Sequence, residues 1–584
     1  RGFQLNVPDW PKMNPTIHYV DLYNITSCQP SLLLAQVCIG LLNRRPDDSF
    51  SQQLRDMNSL DLQDQYYANL SITWQSNADT WLDQITAGTD PVIENISVDD
   101  LLLDCKLSHN VKGYIRYDYE DQKLVIPNLV TLAAVLDAAL VDDDDFLESF
   151  DEDLPMIFDA TEEWSGFDAY DATEYMYENH IASTQGLMKL NPGFDSSTDP
   201  FNPELTKDMN AANVDFAVSN KMFNFFLTEG CIPLTRDHAL MKKIAAWEGF
   251  EKPTAVWGYD NTFSYVAGSK FEAETDCVNT LGQVASTGAP NLSFFGLAAD
   301  PIEEEGVLVS NPFPKLTYDP DKTYISLLLG DGDNLRFVVE RHLYWWQTRQ
   351  ELCSNPANWT QYNVTEENAC FPLAWSLSPQ LLNFAPQLIS WWYDAFKSTG
   401  SDYFVLPPSG ELYSYPGGFS DEDQIAYKSR MQKIAGLMDI SGTVHWEFPV
   451  FSTWNNALSY FEKYAEDEEP GINGFHCVNV PYFEPILEIF GLEDTKVLND
   501  KVVLFKSIEW RGVDGGPNAW APADFAKKIN NYDPGSIKSI YVTSDGGFTF
   551  TDLYELVGQL DMRKVVIVNQ EQLVDLALQR DERA

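Results

Sequence analysis

From residue 323 onward, short apolar runs rich in β-formers recur at 323–329, 371–377, 403–406, 442–446, 472–480, 502–508, 537–542 and 565–568. Their starts lie about 30–50 residues apart, and most gaps hold a stretch with helical spacing, as at 335–348, 381–397, 421–437, 521–529 and 551–560. Strand–helix alternation at this interval predicts a parallel sheet, and eight such units predict a (β/α) barrel. A distorted barrel of seven strands would leave nearly the same pattern. No propeller or solenoid period is present.

The first 320 residues are mixed α/β with irregular spacing. Residues 17–22 alternate like a strand and 31–42 read as a helix, while 111–118 predict a strand and 129–140 an alanine-rich helix. The acidic run Asp142–Asp145 reads as a solvated loop, and 191–203 is rich in Pro, Asp, Ser and Asn. Three prolines, Pro312, Pro314 and Pro320, mark a further break. The fold class predicted is therefore α/β. An N-terminal α/β domain spans 1–141, and a second α/β region, as one piece or two small subdomains, spans 142–314. A C-terminal (β/α) barrel-like domain spans 315–584.

Charge narrows the partners. With 88 acidic residues against 38 Lys and Arg in 584, the formal net charge is −50. A surface of that sign lacks the basic footprint that nucleic acid or anionic lipid requires. At 44% hydrophobic and 13% aromatic, the chain is too apolar to be a disordered acidic tail. The most apolar helical stretch, 129–141, is short and carries Asp137, so no membrane insertion is expected. A start at Arg1 fits a mature form whose signal peptide has been removed. Six Asn-x-Ser/Thr sequons, at Asn24, Asn69, Asn95, Asn291, Asn358 and Asn363, point the same way, to a secreted or extracellular glycoprotein. Two of them lie in a polar stretch between Cys353 and Cys370, the pair of the eight cysteines best placed for a disulfide.

A barrel of this kind carries its site where the strands end. Those ends read Gly330-Asp331-Gly332-Asp333-Asn334, Trp375-Ser376-Leu377-Ser378-Pro379, Pro407 to Pro416, His445-Trp446-Glu447, Glu509-Trp510-Arg511 and Ser544-Asp545-Gly546. Carboxyl groups and aromatic rings thus converge on one rim. Sugars present hydroxyls to hydrogen-bond and C–H faces that stack on Trp and Tyr, and glycosidic cleavage takes two carboxyl groups, one protonated and one ionised.

The segment Gly410-Glu411-Leu412-Tyr413-Ser414-Tyr415-Pro416 resembles the signature of the GxGYxYP family of putative glycoside hydrolases. The strand 325–334 ending in Asp-Gly-Asp-Asn, and Ala374-Trp-Ser-Leu-Ser-Pro379, resemble the family's preceding strands in the same order. The likeness covers residues 315–584 well and the rest loosely, through 111–140 and the Asn291 stretch. It implies a secreted or surface protein that handles carbohydrate, with N-terminal α/β domains and a barrel-like C-terminal one. Leu412 stands where the motif has its second glycine; were that glycine needed for close approach or positive φ, leucine would reshape the pocket.

Asp331 and Asp333, two apart in an extended segment, are candidates for nucleophile or base, and equally suit a turn that caps the helix beginning near Leu335. Glu447, beside Trp446, is the candidate general acid, with Glu411 as another carboxylate and Glu509 and Asp545 in reserve. Asn334, Trp375, Tyr413, Tyr415, Trp446, Trp510 and Arg511 are candidates for holding an oligo- or polysaccharide. No zinc motif, nucleophile elbow or P-loop occurs, so no cofactor is expected. Asp331 and Asp333 could take Ca2+, although the spacing is not that of an EF-hand. The competing reading is a catalytically inactive extracellular glycoprotein that binds glycan or forms surface or fibrous assemblies. A deacetylase is disfavoured by the scarcity of His near the strand ends. Self-association is left open.

Overall fold

The structure is a computed structural model that describes residues 16–20, 22, 29–44, 65–69, 92–142, 150, 154–190, 214–258, 277, 283–286, 293, 301–335, 338, 341–447, 453–478, 487–491, 493–513 and 519–583. The chain forms two compact units, Arg1–Pro301 with Leu381–Leu388, and Ile302–Gln380 with Ile389–Ala584.

The first unit holds three small parallel sheets. Strands β1 (Thr16–Val20), β2 (Gln65–Asn69) and β3 (Val92–Ile96) run in the order β2-β1-β3. Strands β4 (Gly113–Tyr117), β5 (Ala138–Asp142) and β6 (Met156–Asp159) run β5-β4-β6, and β7 (Gly186–Lys189), β8 (Met222–Phe225), β9 (Thr254–Trp257) and β10 (Gln283–Ser286) run β10-β9-β7-β8. The helix expected over 129–140 is Ile126–Leu136 and stops early. Asp137 ends it in the left-handed conformation at φ 55°, held by Arg44, and the apolar run continues as the buried strand β5. An all-apolar run carries no period with which to separate buried helix from buried strand. Disulfides Cys38–Cys105 and Cys231–Cys277 tie this unit.

The second unit carries β11 (Thr323–Leu329), β12 (Leu373–Ser376), β13 (Asp402–Val405), β14 (Gly442–His445), β15 (Gly474–Cys477), β16 (Thr495–Leu498), β17 (Val502–Lys506), β18 (Ile508–Gly512), β19 (Ile537–Gly547) and β20 (Val565–Ile567). All eight expected runs contain a strand. One sheet has the order β13-β12-β11-β19-β18 with β20 also on β11, and the other β14-β15-β17-β16. Every pairing is parallel except β16 with β17.

The described strands therefore do not make the single closed sheet expected of a barrel. Between β13 and β14 only the isolated bridge Leu406–Thr443 forms, because Pro407 and Pro408 follow at once and have no N–H to extend a ladder. The run expected over 502–508 is broken into two strands on different sheets. Ser507, at the break, donates its N–H to the Cys477 carbonyl (2.8 Å) on one side and meets Ser539 Oγ through its own Oγ (2.8 Å) on the other. The helix expected over 381–397 is likewise split, into Leu381–Phe384 and Pro386–Lys397, with Pro386 opening the second piece.

The core under the strand ends is built from Leu328, Ala374, Val405, Val444 and Val478, one residue from each of five parallel segments, with aromatic rings packed above. Behind it, Arg349 is fully buried. It pairs with Asp402 (3.3 Å), donates to Tyr554 Oη and the Phe371 carbonyl, and lies over the Phe371 ring, so no donor is wasted in the interior. Cys353–Cys370 closes the neighbouring loop.

Candidate active site

The site begins where β11 ends. A Cβ on Gly330 would stand 2.1 Å from the Tyr541 ring and hydroxyl, and one on Gly332 would stand 2.0 Å from the Ser376 carbonyl oxygen. Only glycine fits at either position, so the two glycines of Gly-Asp-Gly-Asp let β19 and β12 close on this turn. Between them Asp331 takes φ 62°, a conformation that strains any residue with a side chain. Tyr541 fixes it there: its hydroxyl accepts the Asp331 N–H (3.1 Å) and donates to Asp331 Oδ1 (3.0 Å). Ser376 Oγ accepts the Gly332 N–H at 2.9 Å.

The two carboxyl groups of this turn meet different surroundings. Burial, reinforced by the negative charge of Asp331, pushes the Asp333 carboxyl up to about 8. Burial, with the charges of Asp331 and Asp333, raises the Tyr541 phenol well above its ordinary value, so it stays a donor. Both causes favour the protonated form of Asp333. Asn334 donates its backbone N–H to the Asp331 carbonyl at 3.2 Å, completing the turn.

The Gly410–Pro416 segment is buried throughout. Gly410 has φ 119°, and a Cβ there would lie 2.6 Å from Met431 Sδ. Leu412 is fully buried and is not among the described residues with positive φ, so its backbone needs no glycine. Tyr415 donates to the Tyr413 hydroxyl at 3.0 Å; Tyr413 meets Trp446 edge-on at 5.5 Å, and Trp446 meets Tyr541 edge-on at 5.9 Å. A chain of rings therefore links the motif to the Asp331 turn. Glu411 faces elsewhere: Gln380 Nε2 donates to its Oε1 (2.8 Å) and Arg430 Nε pairs with its Oε2 (2.6 Å), an arrangement that fixes the loop.

Glu447 is fully buried just beyond β14. Its Oε1 accepts the Gly417 N–H (2.8 Å) and meets His445 Nε2 at 2.7 Å. Burial pushes His445 down to about 3, so the ring is neutral at physiological pH and Nε2–H can donate to that oxygen. His445 and Glu447 share this contact, while the intervening Trp446 packs on Tyr413 and Tyr541. The Gly417 N–H donates to Glu447 Oε1, and the direction of the His445 Nε2 contact with that oxygen follows the tautomer of the ring.

The aromatic candidates differ from the expectation of open sugar platforms. Trp375 is 1% exposed, with Nε1 donating to Asp402 Oδ1 (2.8 Å), and Trp510 is wholly buried, with Nε1 donating to the Trp520 carbonyl (2.8 Å). Both are core residues with no free face, because their indole N–H groups find partners inside. Tyr413, Tyr415 and Trp446 are buried too. Arg511 is held by Glu509 at 2.6 Å, and Glu509 also accepts from Thr543 Oγ1 at 3.1 Å. The Asp545 side chain lies outside what the structure describes. Among the described residues no group of three or more His, Cys, Asp or Glu is arranged to hold a metal ion.

Tyr541 and Ser376, which hold the Asp331 turn, were not singled out by the sequence. The available signal was the pair of glycines, which announces that something packs closely there. Of the sequons, Asn95 and Asn363 are exposed and Asn358 is half-buried. The Asn69 side chain, Asn24 and Asn291 lie outside the described residues, as does Cys28. Cys353 pairs with Cys370 as expected, and Cys477 is a buried free thiol. No helix among the described residues is long and apolar enough to cross a membrane.

No curated protein matches the sequence. The fold is similar to that of a crystal structure described as a putative hydrolase from Bacteroides thetaiotaomicron, with a TM-score of 0.68 over 97% of this chain and 95% of that one; at 16% identity the likeness is one of fold. Residues 321–482, which hold β11 to β15 with Asp331, Asp333, Glu411 and Glu447, match the GxGYxYP putative glycoside hydrolase C-terminal domain.

Proposed function

We propose that the second unit hydrolyses glycosidic bonds in an oligo- or polysaccharide, with Asp333 as general acid and Asp331 as nucleophile or base. The observation that carries this reading is the unequal pair on one turn: Asp331 accepts from the Tyr541 hydroxyl, while burial and the Asp331 charge push the Asp333 carboxyl up to about 8. Environments that separate two carboxyl groups in this way mark acid and base assignments. In the proposed reaction Asp333 gives its proton to the glycosidic oxygen as the C–O bond breaks. Asp331 either bonds to the anomeric carbon, giving a glycosyl-enzyme that water then cleaves as Asp333 takes that water's proton, or itself takes a proton from the attacking water, according to whether the carboxyl separation is near 5–5.5 Å or 6.5–9.5 Å. Tyr541 and Ser376 keep the turn in place. We take the two sheets of the second unit to serve as one barrel-like frame, and the three disulfides to fit a protein secreted into an oxidising compartment.

The test is turnover of paired aryl and alkyl glycosides by the Asp331→Asn and Asp333→Asn proteins. Asp331→Asn should abolish cleavage of both. Asp333→Asn should cost about 10²-fold or more on the alkyl substrates and much less on aryl ones, whose leaving groups need no proton. Wild-type turnover by both variants would end the proposal. A second reading, an inactive glycan-facing glycoprotein, draws on the Glu411–Arg430 pair and the burial of the motif tyrosines. It predicts no turnover by the wild-type protein on any glycoside.

A further inference from the structure

We propose that Asn95 carries an N-linked glycan whose role is to cover the open edge of the first sheet; the proposal rests on the secretory reading above. Among the described residues, strand β3 is the edge of its sheet and pairs with β1 alone, so no described strand meets the other side of its backbone. That strand is open to solvent and exposes two apolar side chains, Val92 at 47% and Ile93 at 48%, beside Glu94 and Asn95, and the helix that follows, Val98–Leu107, exposes Leu103 and Leu107. An edge of this kind is a template for a second chain. Asn95 is itself exposed on β3, two residues from Ile93, and alternation places both on one face of the strand. A glycan attached at Asn95 Nδ2 stands over Ile93 and bars another strand from the edge.

The third sequon position has a second task that permits a clean test. Ser97 is the N-cap of Val98–Leu107: its Oγ accepts the Asp100 N–H (3.1 Å) and donates to Asp100 Oδ2 (2.6 Å), while its own N–H donates to that carboxylate (3.1 Å). Ser97→Asn destroys the sequon and retains a favoured cap, Ser97→Thr preserves both, and Asn95→Gln removes only the attachment atom. The full chain would be secreted from a glycosylating eukaryotic host. Its proteolytic peptides would be weighed before and after enzymatic removal of N-glycans, and its mass in solution measured by light scattering across a concentration series.

The expected result is a modified Asn95 peptide and a monomer for wild type and Ser97→Thr. Asn95→Gln and Ser97→Asn should both lose that glycan and shift to larger species as concentration rises. An unmodified Asn95 peptide beside a modified Asn363 peptide overturns the proposal and spares the secretory reading. No modified peptide at all overturns both. Variants that lose the glycan and stay monomeric overturn the shielding role.

Discussion

Replacing Asp333 with asparagine should make the protein more stable at pH 8 than the wild type, by an amount that vanishes near pH 4. The unfolded carboxyl ionises near 3.8, whereas in the folded protein burial and the Asp331 charge hold the proton to about 8. Between those values the unfolded chain has released a proton that the folded chain keeps. Folding stability therefore falls as pH rises, at about 1.4 kcal/mol per pH unit for one group. Over the whole interval the loss is on the order of 3–5 kcal/mol, reduced from the full product because the Asp333 side chain is partly open to solvent. Asparagine keeps the shape and cannot ionise, so it removes the loss. The assay is urea unfolding followed by tryptophan fluorescence at half-unit steps from pH 4 to 8, taking the difference between variant and wild type so that other titrations cancel. Curves that stay parallel across this range would refute the reasoning. With Asp333 as the general acid, the same substitution gains stability and loses turnover of alkyl glycosides, the trade-off expected where a strained group is kept for its chemistry.

His342, His445 and His476 are all buried and pushed down to about 3, against 6.5 when unfolded. Below pH 6.5 the unfolded chain takes up protons that the folded one refuses, so the second unit should lose stability steeply toward acid; melting that is flat from pH 6.5 to 4.5 would contradict this. Tyr541→Phe keeps the ring against Trp446 but removes the hydroxyl that meets Asp331 twice, and should cost about 2–4 kcal/mol, a loss to be read from urea midpoints. Gly332→Ala has to displace the Ser376 carbonyl, so soluble yield or melting temperature should drop sharply, while Leu412→Gly should cost stability by removing a buried side chain. Replacing Cys353 and Cys370 together by serine opens a 17-residue loop and should cost about 3 kcal/mol, measurable as a lower midpoint under non-reducing conditions.

The parts of the second unit that follow from local chemistry are legible in the sequence. Apolar runs separated by helices mark parallel strands, and the Gly-Asp-Gly-Asp turn stands out because glycine and carboxylate at a strand end each need a reason. Long-range facts leave no such trace. Trp375 and Trp510 look the same in sequence whether their rings face a sugar or the core; what decides is Asp402 and the Trp520 carbonyl, placed by the fold to take their N–H groups. Tyr541 lies 210 residues from Asp331 along the chain, and nothing near either one announces the other. One of the two breaks in the sheet has a local reason: two prolines directly after β13 outweigh the regular spacing of the strands, whereas the break at Ser507 between β17 and β18 leaves no such mark.

The stretch from Val502 to Gly512 belongs to both sheets of the second unit, with Ser507 tied to a neighbour in each. Such a segment acts as a shared beam. Pulling β17 from its partners drags β18 away from β19, so neither sheet can open without loading the other. Amides on β15 and on β19 should then exchange through a common opening, and the carboxylates of the rim stand on a frame that yields as one piece.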